Sequence, residues 1–375
     1  MLERILQSLH PTYQPLNKIE LSSENLLYNY HYLSSLVKEL KTAPVLKSNA
    51  YGHGIVPVAK ILDSLGTPFF CVDSLYEAYQ LFNEGIKTPI LVMGYIHPES
   101  LKVKKLPFSL TVYNSKVFEA IKKYQPHAGI HIFVDTGMGR EGVSLKELPH
   151  IIIEAQKLSL NIEGLMSHLA MADKPENEYT QKQIVNFEKA TRIVNDLSVS
   201  PKWIHLPASL GLTHHKSYSH SLGNLARIGI ALYGIDPEQR DKKLKPVLEL
   251  KSTIAQIKEI CKGEQVGYDF TFTAQKNIKT AVLPIGYNDG IDRRLSNKGF
   301  VLVNNKPCPI IGRVSMNITV IDVTDVLSVE VGQEVTIYSR NPDQKNSVAS
   351  AAILCETIPD ELLVHLIPTT KRIII

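Results

Sequence analysis

The segment "VLKSNAYGHG" (Val45–Gly54) passes from apolar residues directly to a lysine and then to two glycines. A short buried strand that ends in a polar, glycine-containing loop is the repeating unit of parallel α/β proteins. Lys47 lies at this transition, where a lysine is either an ordinary surface charge or an amine held for chemistry. How often the same transition recurs along the chain decides the fold class.

Between about residues 40 and 240, short apolar runs alternate with stretches of helical periodicity. The runs are Pro44–Lys47, Phe69–Asp73, Ile90–Tyr95, Ser109–Tyr113, Ile130–Asp135, Ile162–His168, Trp203–Ala208 and Leu225–Ile228. This succession of strand–helix units predicts a closed (β/α)8 barrel of the TIM type. An open, doubly wound sheet remains the alternative, because periodicity alone does not exclude it.

After about residue 241 the pattern changes to closely spaced strands without long helical spacers. Segments such as "KTAVLPIGY" and "NITVIDVT" read as strands, and "NNKP" predicts a hairpin turn. We therefore assign residues 17–240 to the barrel and 241–375 to a mainly β domain, on which residues 1–16 are expected to pack. The early strand in "KIELS" fits either domain.

The composition excludes several classes of protein. The 41 basic and 37 acidic residues leave a net charge of +4, too balanced to indicate binding of nucleic acid or an anionic membrane. Four cysteines lie far apart, which is typical of reduced thiols and predicts no metal site. The N-terminus lacks the apolar run of a secretory signal, and no stretch reaches transmembrane length. These features favour a cytoplasmic protein.

Polar side chains follow several predicted barrel strands, at the ends where catalytic groups of such barrels lie. They are Lys47, Asp135, His168, Ser209 and Arg227. A lysine beside a buried strand loses its charge at low cost, and the neutral amine is the nucleophilic form. The backbone near Gly229 and Ile230 is typical of phosphate sites at the last two barrel strands. An amine next to a phosphate site indicates pyridoxal 5'-phosphate.

Each of these residues alone has a more ordinary interpretation. A lone lysine at a strand end is usually solvated, and a lone histidine is usually a hydrogen-bonded core residue. The glycines of "DTGMG" alone mark a turn, and Arg227 alone fits a structural ion pair. Only the ordered series along one rim favours catalysis.

A set of motifs extends this pattern into the second domain. They are "KSNAYGHG", "VDTGMGREG", "SHLAMAD", "RIGIALYG", "VGYDFTFTA", "PIGYNDG" and "IGRVSM". In this order they resemble the alanine racemases, pyridoxal-phosphate enzymes built from a barrel and a β domain. The resemblance extends from Lys18 to the C-terminal region. It implies interconversion of L- and D-alanine, the latter for peptidoglycan, by a two-base mechanism on a pyridoxal-phosphate aldimine.

The resemblance also implies roles for individual residues. Lys47 would hold the cofactor and act as a base on one face of the substrate Cα, and Tyr268 would act on the opposite face. Arg227 would face the pyridine nitrogen, to which an arginine does not give up its proton. The other cofactor contacts would come from Tyr51, His168, Ser209, Gly229 and Ile230. Since Tyr268 would reach the barrel of a second subunit, the active unit would be a homodimer.

Contacts to the substrate are implied in the same way. The substrate would be bound by Arg140, which would lie near Tyr268 and the cofactor ring, and by the backbone amide of Met316. The passage by which substrate enters would be lined by Asp173, Tyr287 and Arg293.

Three features depart from the family pattern, and one of them is "GRVSMN", which has Ser315 and Asn317 where the family often has Cys and Asp. Phe133 stands where many members have a carbamylated lysine that orients the arginine, and a bound chloride beside Arg140 is one hypothesis for the missing anion. Asp360 stands where a tyrosine usually contributes to phosphate binding, and an aspartate there would repel a phosphate unless it points away.

Three other functions remain open at this level. The same scaffold fits a racemase of serine or of a basic amino acid, and a barrel-type decarboxylase of basic amino acids. A non-catalytic pyridoxal-phosphate-binding protein is the third, although such single-barrel carriers lack the β domain and an equivalent of Tyr268.

Overall fold

The structure, a computed structural model, describes residues 14–213, 223–237 and 241–375. One unit comprises Ser23–Val247, and the other comprises Leu248–Ile375 together with the segment before Ser23. Strand β1 (Lys18–Leu21) belongs to the second unit because it pairs with strands from both ends of that unit. The boundaries thus differ from 17–240 and 241–375 at residues 17–22 and 241–247. Residues 1–13 lie outside the described part of the chain.

Within the described residues, eight parallel strands form the sheet of the first unit. They are β2 (Lys41–Pro44), β3 (Phe70–Val72), β4 (Ile90–Val92), β5 (Ser109–Val112), β6 (Gly129–Phe133), β7 (Asn161–Met166), β8 (Trp203–His205) and β9 (Leu225–Ile228). Strands β3 to β8 pair in sequence order, and β9 pairs with β2. A bridge from Val45 to Cys71 joins β2 to β3, and one from Ala208 to Arg227 joins β8 to β9. The predicted closed (β/α)8 barrel is confirmed, and the open sheet is excluded.

Helices alternate with these strands. They are α1 (Ser23–Leu36), α2 (Lys47–Tyr51), α3 (Ile55–Leu62), α4 (Leu75–Asn83), α5 (Phe118–Tyr124), α6 (Leu148–Lys157), α7 (Glu178–Asp196) and α8 (Ser209–Thr213). Ser74 caps α4 by accepting a hydrogen bond from the Glu77 N–H, and Asn177 caps α7 in the same way. Helix α7 buries residues at helical spacing, including Ile184 and Phe187, against the barrel unit.

The first barrel strand ends earlier than predicted. The sequence predicts this strand at Pro44–Lys47, whereas β2 ends at Pro44. Val45 continues the strand only through its bridge to Cys71, and the Leu46 N–H bonds to the Cys71 carbonyl at 2.7 Å. The apolar run extends beyond the strand because Val45 and Leu46 are buried in the turn that follows.

The barrel core consists of strand side chains buried on both faces. All residues of β3, β4, β6 and β9 are buried, as expected for parallel strands covered by helices. Ala43, Phe69, Cys71 and Leu225 belong to one apolar cluster of the barrel unit. This packing leaves the loops after the strands to carry the polar groups of a site.

Antiparallel strands dominate the second unit. They are β10 (Leu248–Thr253), β11 (Gln256–Ile260), β12 (Gln265–Val266), β13 (Phe272–Thr273), β14 (Ile278–Leu283), β15 (Phe300–Val303), β16 (Lys306–Pro309), β17 (Thr319–Asp322), β18 (Glu334–Tyr338) and β19 (Lys371–Ile374). The largest sheet has the order β16-β15-β18-β10-β1-β19, and a second has the order β11-β14-β17. Helices α9 (Val348–Leu354) and α10 (Pro359–Val364) follow β18. The expected mainly β domain is confirmed.

The predicted "NNKP" hairpin is present between β15 and β16, where Val303 pairs with Lys306. Asn304 and Asn305 have φ values of 52° and 60°, the left-handed conformation that a two-residue hairpin turn requires and that asparagine tolerates. Across the ranges that the structure describes, no helix is both long and apolar enough to cross a membrane.

Candidate active site

Lys47 opens α2, a segment with an unusual backbone. Ser48, Asn49, Ala50 and Tyr51 all have left-handed dihedrals, with φ between 50° and 55°. Such a conformation costs an L-residue about 1–2 kcal/mol. Backbone hydrogen bonds from Ala50 to Leu46 and from Gly52 to Ser48 close the turn. Strain of this kind persists where the surroundings hold it, and it is common at functional sites.

A buried carboxylate holds this turn in place. Glu77 accepts hydrogen bonds from the N–H of Asn49 at 3.1 Å and from the N–H of Asp73 at 2.9 Å. The Asn49 side chain in turn accepts from the Ile55 N–H at 2.8 Å. The backbone after Lys47 is thereby fixed to β3 and to α3, and the half-buried Lys47 side chain starts from a defined position.

Three elements converge on Gly229. Its N–H donates to the Ser209 hydroxyl at 2.7 Å, and Ile230 follows at the start of a short helical turn. A Cβ placed on Gly229 would lie 2.7 Å from the Tyr51 hydroxyl oxygen, so glycine is needed for space. Backbone N–H groups and hydroxyls gathered around a glycine form a cradle suited to a phosphate.

Arg227 is buried in the barrel interior. Its Nη1 donates to His205 Nδ1 at 2.7 Å and to the His205 carbonyl at 2.8 Å, and its Nη2 donates to the Ser167 carbonyl at 2.6 Å. The same Nη2 lies 3.4 Å from His168 Nδ1. Burial lowers the pKa of Arg227 to about 10, so it remains a cation at neutral pH.

Positive charges converge on His168. Burial lowers the pKa of this histidine to about 3, and the charges of Arg227, Arg140 and Lys47 act in the same direction. The imidazole is therefore neutral at pH 7. The causes of the His168 pKa shift within the described residues are burial and these three cations, and no carboxylate is among them. A region on which three positive charges act suits an anionic ligand.

The surroundings of Arg140 account for the departure at Phe133. The Phe133 side chain is buried, and Asp135 is occupied by backbone N–H groups of residues 137–139. Arg140 instead forms a two-pronged pair with Glu141, with Nε–Oε2 at 2.5 Å and Nη2–Oε1 at 2.6 Å. Asp135 thus shapes the "DTGMG" turn, and Glu141 is the carboxylate that pairs with Arg140. A chloride beside Arg140 stays a prediction.

The predicted site residues fall into two groups, one in each unit. The barrel unit holds Lys47, Tyr51, Arg140, His168, Asp173, Ser209, Arg227, Gly229 and Ile230. The contacts described above bring Tyr51 next to the Ser209–Gly229 pair and Arg227 next to His168. Asp173 lies between β7 and α7 and is half-buried.

The second unit holds Tyr268, Tyr287, Arg293 and Met316. Tyr268 is 68% exposed and begins a short turn that the ion pair between Asp269 and Arg313 holds at 2.7 Å. The Asn288 N–H donates to the Met316 carbonyl at 2.9 Å, which places Tyr287 beside Met316. Arg293 is exposed at the start of another turn.

Asp360 lies in the first turn of α10. There the helix N-terminus favours a carboxylate.

The sequence analysis did not identify three residues that contact this site. His205 and Ser167 accept hydrogen bonds from Arg227, and Glu141 pairs with Arg140. A histidine inside the apolar run "WIHLPA" is a signal for His205, because a buried polar side chain needs a partner. No sequence pattern indicates the other two.

Comparisons with known proteins agree with this geometry. The chain matches the family "Alanine racemase, N-terminal domain" over residues 21–237 and "Alanine racemase, C-terminal domain" over residues 247–374. It is 34% identical over 371 residues to alanine racemase 1 of Caldanaerobacter subterraneus subsp. tengcongensis, covering 95% of this chain and 94% of that protein.

Solved structures give the same result. Alanine racemase of Bacillus anthracis with bound L-Ala-P superposes with a TM-score of 0.88 at 31% identity, over 97% of this chain and 96% of that one. Alanine racemase of Bartonella henselae with covalently bound pyridoxal phosphate superposes with a TM-score of 0.83 at 27% identity, over 96% and 100%. The resemblance drawn from the motifs is confirmed.

Proposed function

The chain belongs to the alanine racemase family, and we propose that it interconverts L- and D-alanine with pyridoxal 5'-phosphate as its cofactor. The observation that carries this proposal is the group of contacts around Gly229, where the Gly229 N–H donates to the Ser209 hydroxyl and the Tyr51 hydroxyl lies close by. A cytoplasmic location is part of the proposal, and the free cysteines, of which Cys71, Cys308 and Cys355 are buried, support it.

The residues of the barrel unit fit the cofactor. The cradle of Ser209, Gly229 and the Tyr51 hydroxyl would hold the phosphate, with the Ile230 N–H next to it. The Lys47 amine would bind the aldehyde carbon. When bound, pyridoxal phosphate supplies an electron sink that weakens the Cα–H bond of a bound amino acid.

Proton transfer at Cα requires two groups on opposite faces. In this proposal the Lys47 amine takes or returns the proton on one face, and the Tyr268 hydroxyl serves the other. Tyr268 is largely exposed on its own unit, which supports a homodimer in which this tyrosine completes the site of the partner subunit. The passage residues Asp173, Tyr287 and Arg293 would then lie along the route of the substrate.

Arg227 would lie at the pyridine nitrogen. Since it remains a cation with its proton firmly bound, it donates a hydrogen bond without transferring the proton. An arginine at that position would leave more negative charge at Cα, which would favour return of a proton there. Arg140, oriented by Glu141, would hold the substrate carboxylate together with the Met316 amide.

The experiment that tests this function is a proton NMR time course in deuterated water with L-alanine, followed by a chiral assay. Loss of the Cα proton with formation of D-alanine supports the proposal. Exchange without D-alanine refutes the role of Tyr268. Exchange with serine or a basic amino acid but not with alanine would identify a racemase of that amino acid. Release of carbon dioxide would indicate a decarboxylase. Absence of any exchange would indicate a non-catalytic cofactor-binding protein.

Two variants assign the bases. Lys47→Ala should abolish covalent cofactor attachment, measured by mass spectrometry after borohydride reduction, whereas Lys60→Ala, a lysine paired with Glu84 on the surface, should not. Tyr268→Phe should impair exchange from one enantiomer more than from the other, with Tyr76→Phe as an exposed control. Equal losses from both enantiomers would contradict two face-specific bases.

A further inference from the structure

Helix α7 presents a glutamine on its buried face. The residues that this helix buries are Thr180, Gln183, Ile184, Phe187, Ala190 and Val194. From Ile184 onward they are all apolar, whereas Gln183 is polar and only 3% exposed. A buried amide is stable only if it has hydrogen-bond partners, so the partners of Gln183 indicate what this side chain holds in place.

The Gln183 amide pairs with the backbone of the segment that follows β7. Its Nε2 donates to the His168 carbonyl at 3.0 Å, and its Oε1 accepts from the Ala170 N–H at 2.9 Å. A carbonyl only accepts and a backbone N–H only donates, so these two partners fix the orientation of the amide. The side chain thus joins α7 to the segment by two hydrogen bonds.

The same amide faces the loop that follows β6. Gln183 Nε2 lies 3.4 Å from the Thr136 hydroxyl, which lies 2.9 Å from the Ser167 hydroxyl. Ser167 donates its own proton to the Val134 carbonyl at 2.7 Å. The Thr136 hydroxyl therefore donates to Ser167 and accepts from Gln183. A single side chain of α7 contacts the segments after two successive barrel strands.

The segment after β7 carries two groups that face Nη2 of Arg227. The Ser167 carbonyl accepts at 2.6 Å, and His168 Nδ1 lies 3.4 Å away. Gln183 bonds to the carbonyl of His168 itself and to the N–H two residues further along. A shift of this segment would therefore move the imidazole relative to the guanidinium.

We propose that Gln183 is a positioning residue for His168: it holds the segment after β7 where the imidazole meets Arg227. The inference rests on the proposed function only for the role of His168 and Arg227 at the cofactor. Without the amide, the His168 carbonyl and the Ala170 N–H must find other partners. The segment then shifts toward those partners and carries the imidazole with it.

The test uses protein labelled with nitrogen-15 at histidine, whose spectra report the hydrogen bonding of each ring nitrogen. His168→Asn assigns the His168 signal. Gln183→Met keeps a side chain of similar length and removes both hydrogen bonds. Gln183→Glu keeps an acceptor for the Ala170 N–H but places a second acceptor against the His168 carbonyl. Gln183→Asn, the mildest change, withdraws the amide by one methylene.

Two variants of the same helix serve as controls. Gln181→Met removes an exposed glutamine whose amide donates to the Pro175 carbonyl at 2.8 Å. Val194→Ala removes two methyl groups from the buried face, about three turns away from Gln183. Because Val194→Ala lowers stability at a distance from the segment, it separates a loss of stability from a loss of position.

We expect the His168 Nδ1 signal to shift in the three Gln183 variants. It should stay in place in Gln181→Met and in Val194→Ala, although Val194→Ala lowers the urea midpoint as well. In the cofactor-loaded enzyme, turnover of alanine should fall about tenfold in Gln183→Met. KM should change less than about twofold, because the proposed substrate contacts do not include His168.

An unchanged His168 signal in the Gln183 variants that fold would overturn the inference. So would a shift of equal size in Val194→Ala, which would make Gln183 one of many residues that stabilise the helix. If Gln183→Met does not fold, Gln183→Glu and Gln183→Asn decide. A wild-type protein that racemises no amino acid would refute the proposed function, whereas the His168 signal would still decide whether Gln183 positions the imidazole.

Discussion

Replacement of Arg227 by lysine keeps a positive charge in the barrel interior but removes the planar fork of the guanidinium. Nη1 donates to the His205 carbonyl and Nη2 donates to the Ser167 carbonyl, and these two carbonyls lie at the ends of different strands. An ammonium carries all its donors on one atom, so it cannot reproduce both contacts. At least one buried carbonyl loses its donor.

The magnitude follows from that lost contact. A hydrogen bond to a charged group contributes about 1.5–3 kcal/mol, and an acceptor left buried without a donor costs a comparable amount. Full burial also favours the neutral form of the new lysine, which weakens what remains of the contact. We expect Arg227→Lys to lower the free energy of unfolding of the barrel unit by about 2 kcal/mol.

The chain contains one tryptophan, Trp203, which provides the assay. It lies in β8, two residues before His205, and its ring packs 6.0 Å from Phe69, so its fluorescence reports unfolding of the barrel unit. With a urea slope of about 2 kcal/mol per molar, the midpoint should fall by about 1 M. The measurement is made without added cofactor, because a ligand that binds the folded state raises apparent stability.

Arg192→Lys is the matched control for this experiment. Arg192 is exposed on α7 and lies 3.8 Å from Glu188, and such surface pairs contribute about 0–1 kcal/mol. If the midpoint of Arg227→Lys lies as close to the wild type as that of Arg192→Lys, then the guanidinium contacts do not stabilise the barrel and the reasoning is refuted.

Three further outcomes are expected. Gly229→Ala should weaken binding of pyridoxal phosphate by about tenfold in an absorbance titration, because the added methyl group would crowd the Tyr51 hydroxyl. Gly211→Ala is the control and should bind the cofactor normally, because a Cβ on Gly211 would lie 3.5 Å from its nearest neighbour atom. Glu141→Gln should raise KM for alanine roughly threefold with little change in kcat, since Arg140 loses its charged partner at an exposed position. Added chloride should restore part of the affinity for alanine. An unchanged KM would argue against Glu141 as the anion that orients Arg140. The pKa of Glu163 is about 2 in the folded protein and about 4.3 when unfolded, so the ionised carboxylate stabilises the fold above about pH 5, and this contribution is lost as the pH falls toward 2. The Trp203 urea midpoint should therefore decline more steeply over this range in the wild type than in Glu163→Gln. Identical declines would show that the fold does not stabilise the Glu163 carboxylate.

The barrel could be predicted because its signal is local. Each strand–helix unit shows its own periodicity, and the strand order follows from the chain order. The error at Pro44–Lys47 has a local cause as well. Val45 and Leu46 are apolar because they are buried, but they are buried in the left-handed turn that begins at Lys47 and not in the strand.

The C-terminal strand β19 shows the opposite situation. The sequence pattern does not indicate a strand at Lys371–Ile374, and the strand in "KIELS" fits either domain. The two strands pair in parallel with each other, and β1 also pairs with β10. A partner more than three hundred positions away leaves no periodicity in the sequence, so the assignment of both strands depends on the tertiary fold.

The sequence by itself determined the alternating architecture, the residue types at the strand ends and the motif order that identifies the family, since these depend on local periodicity and composition. Only the tertiary structure decided which polar groups meet: Glu141 beside Arg140, and Ser167 and His205 beside Arg227. The physical reason is that a hydrogen bond needs atoms within about 3 Å and suitably aligned. Residues that are far apart in the chain reach that geometry only when the barrel closes.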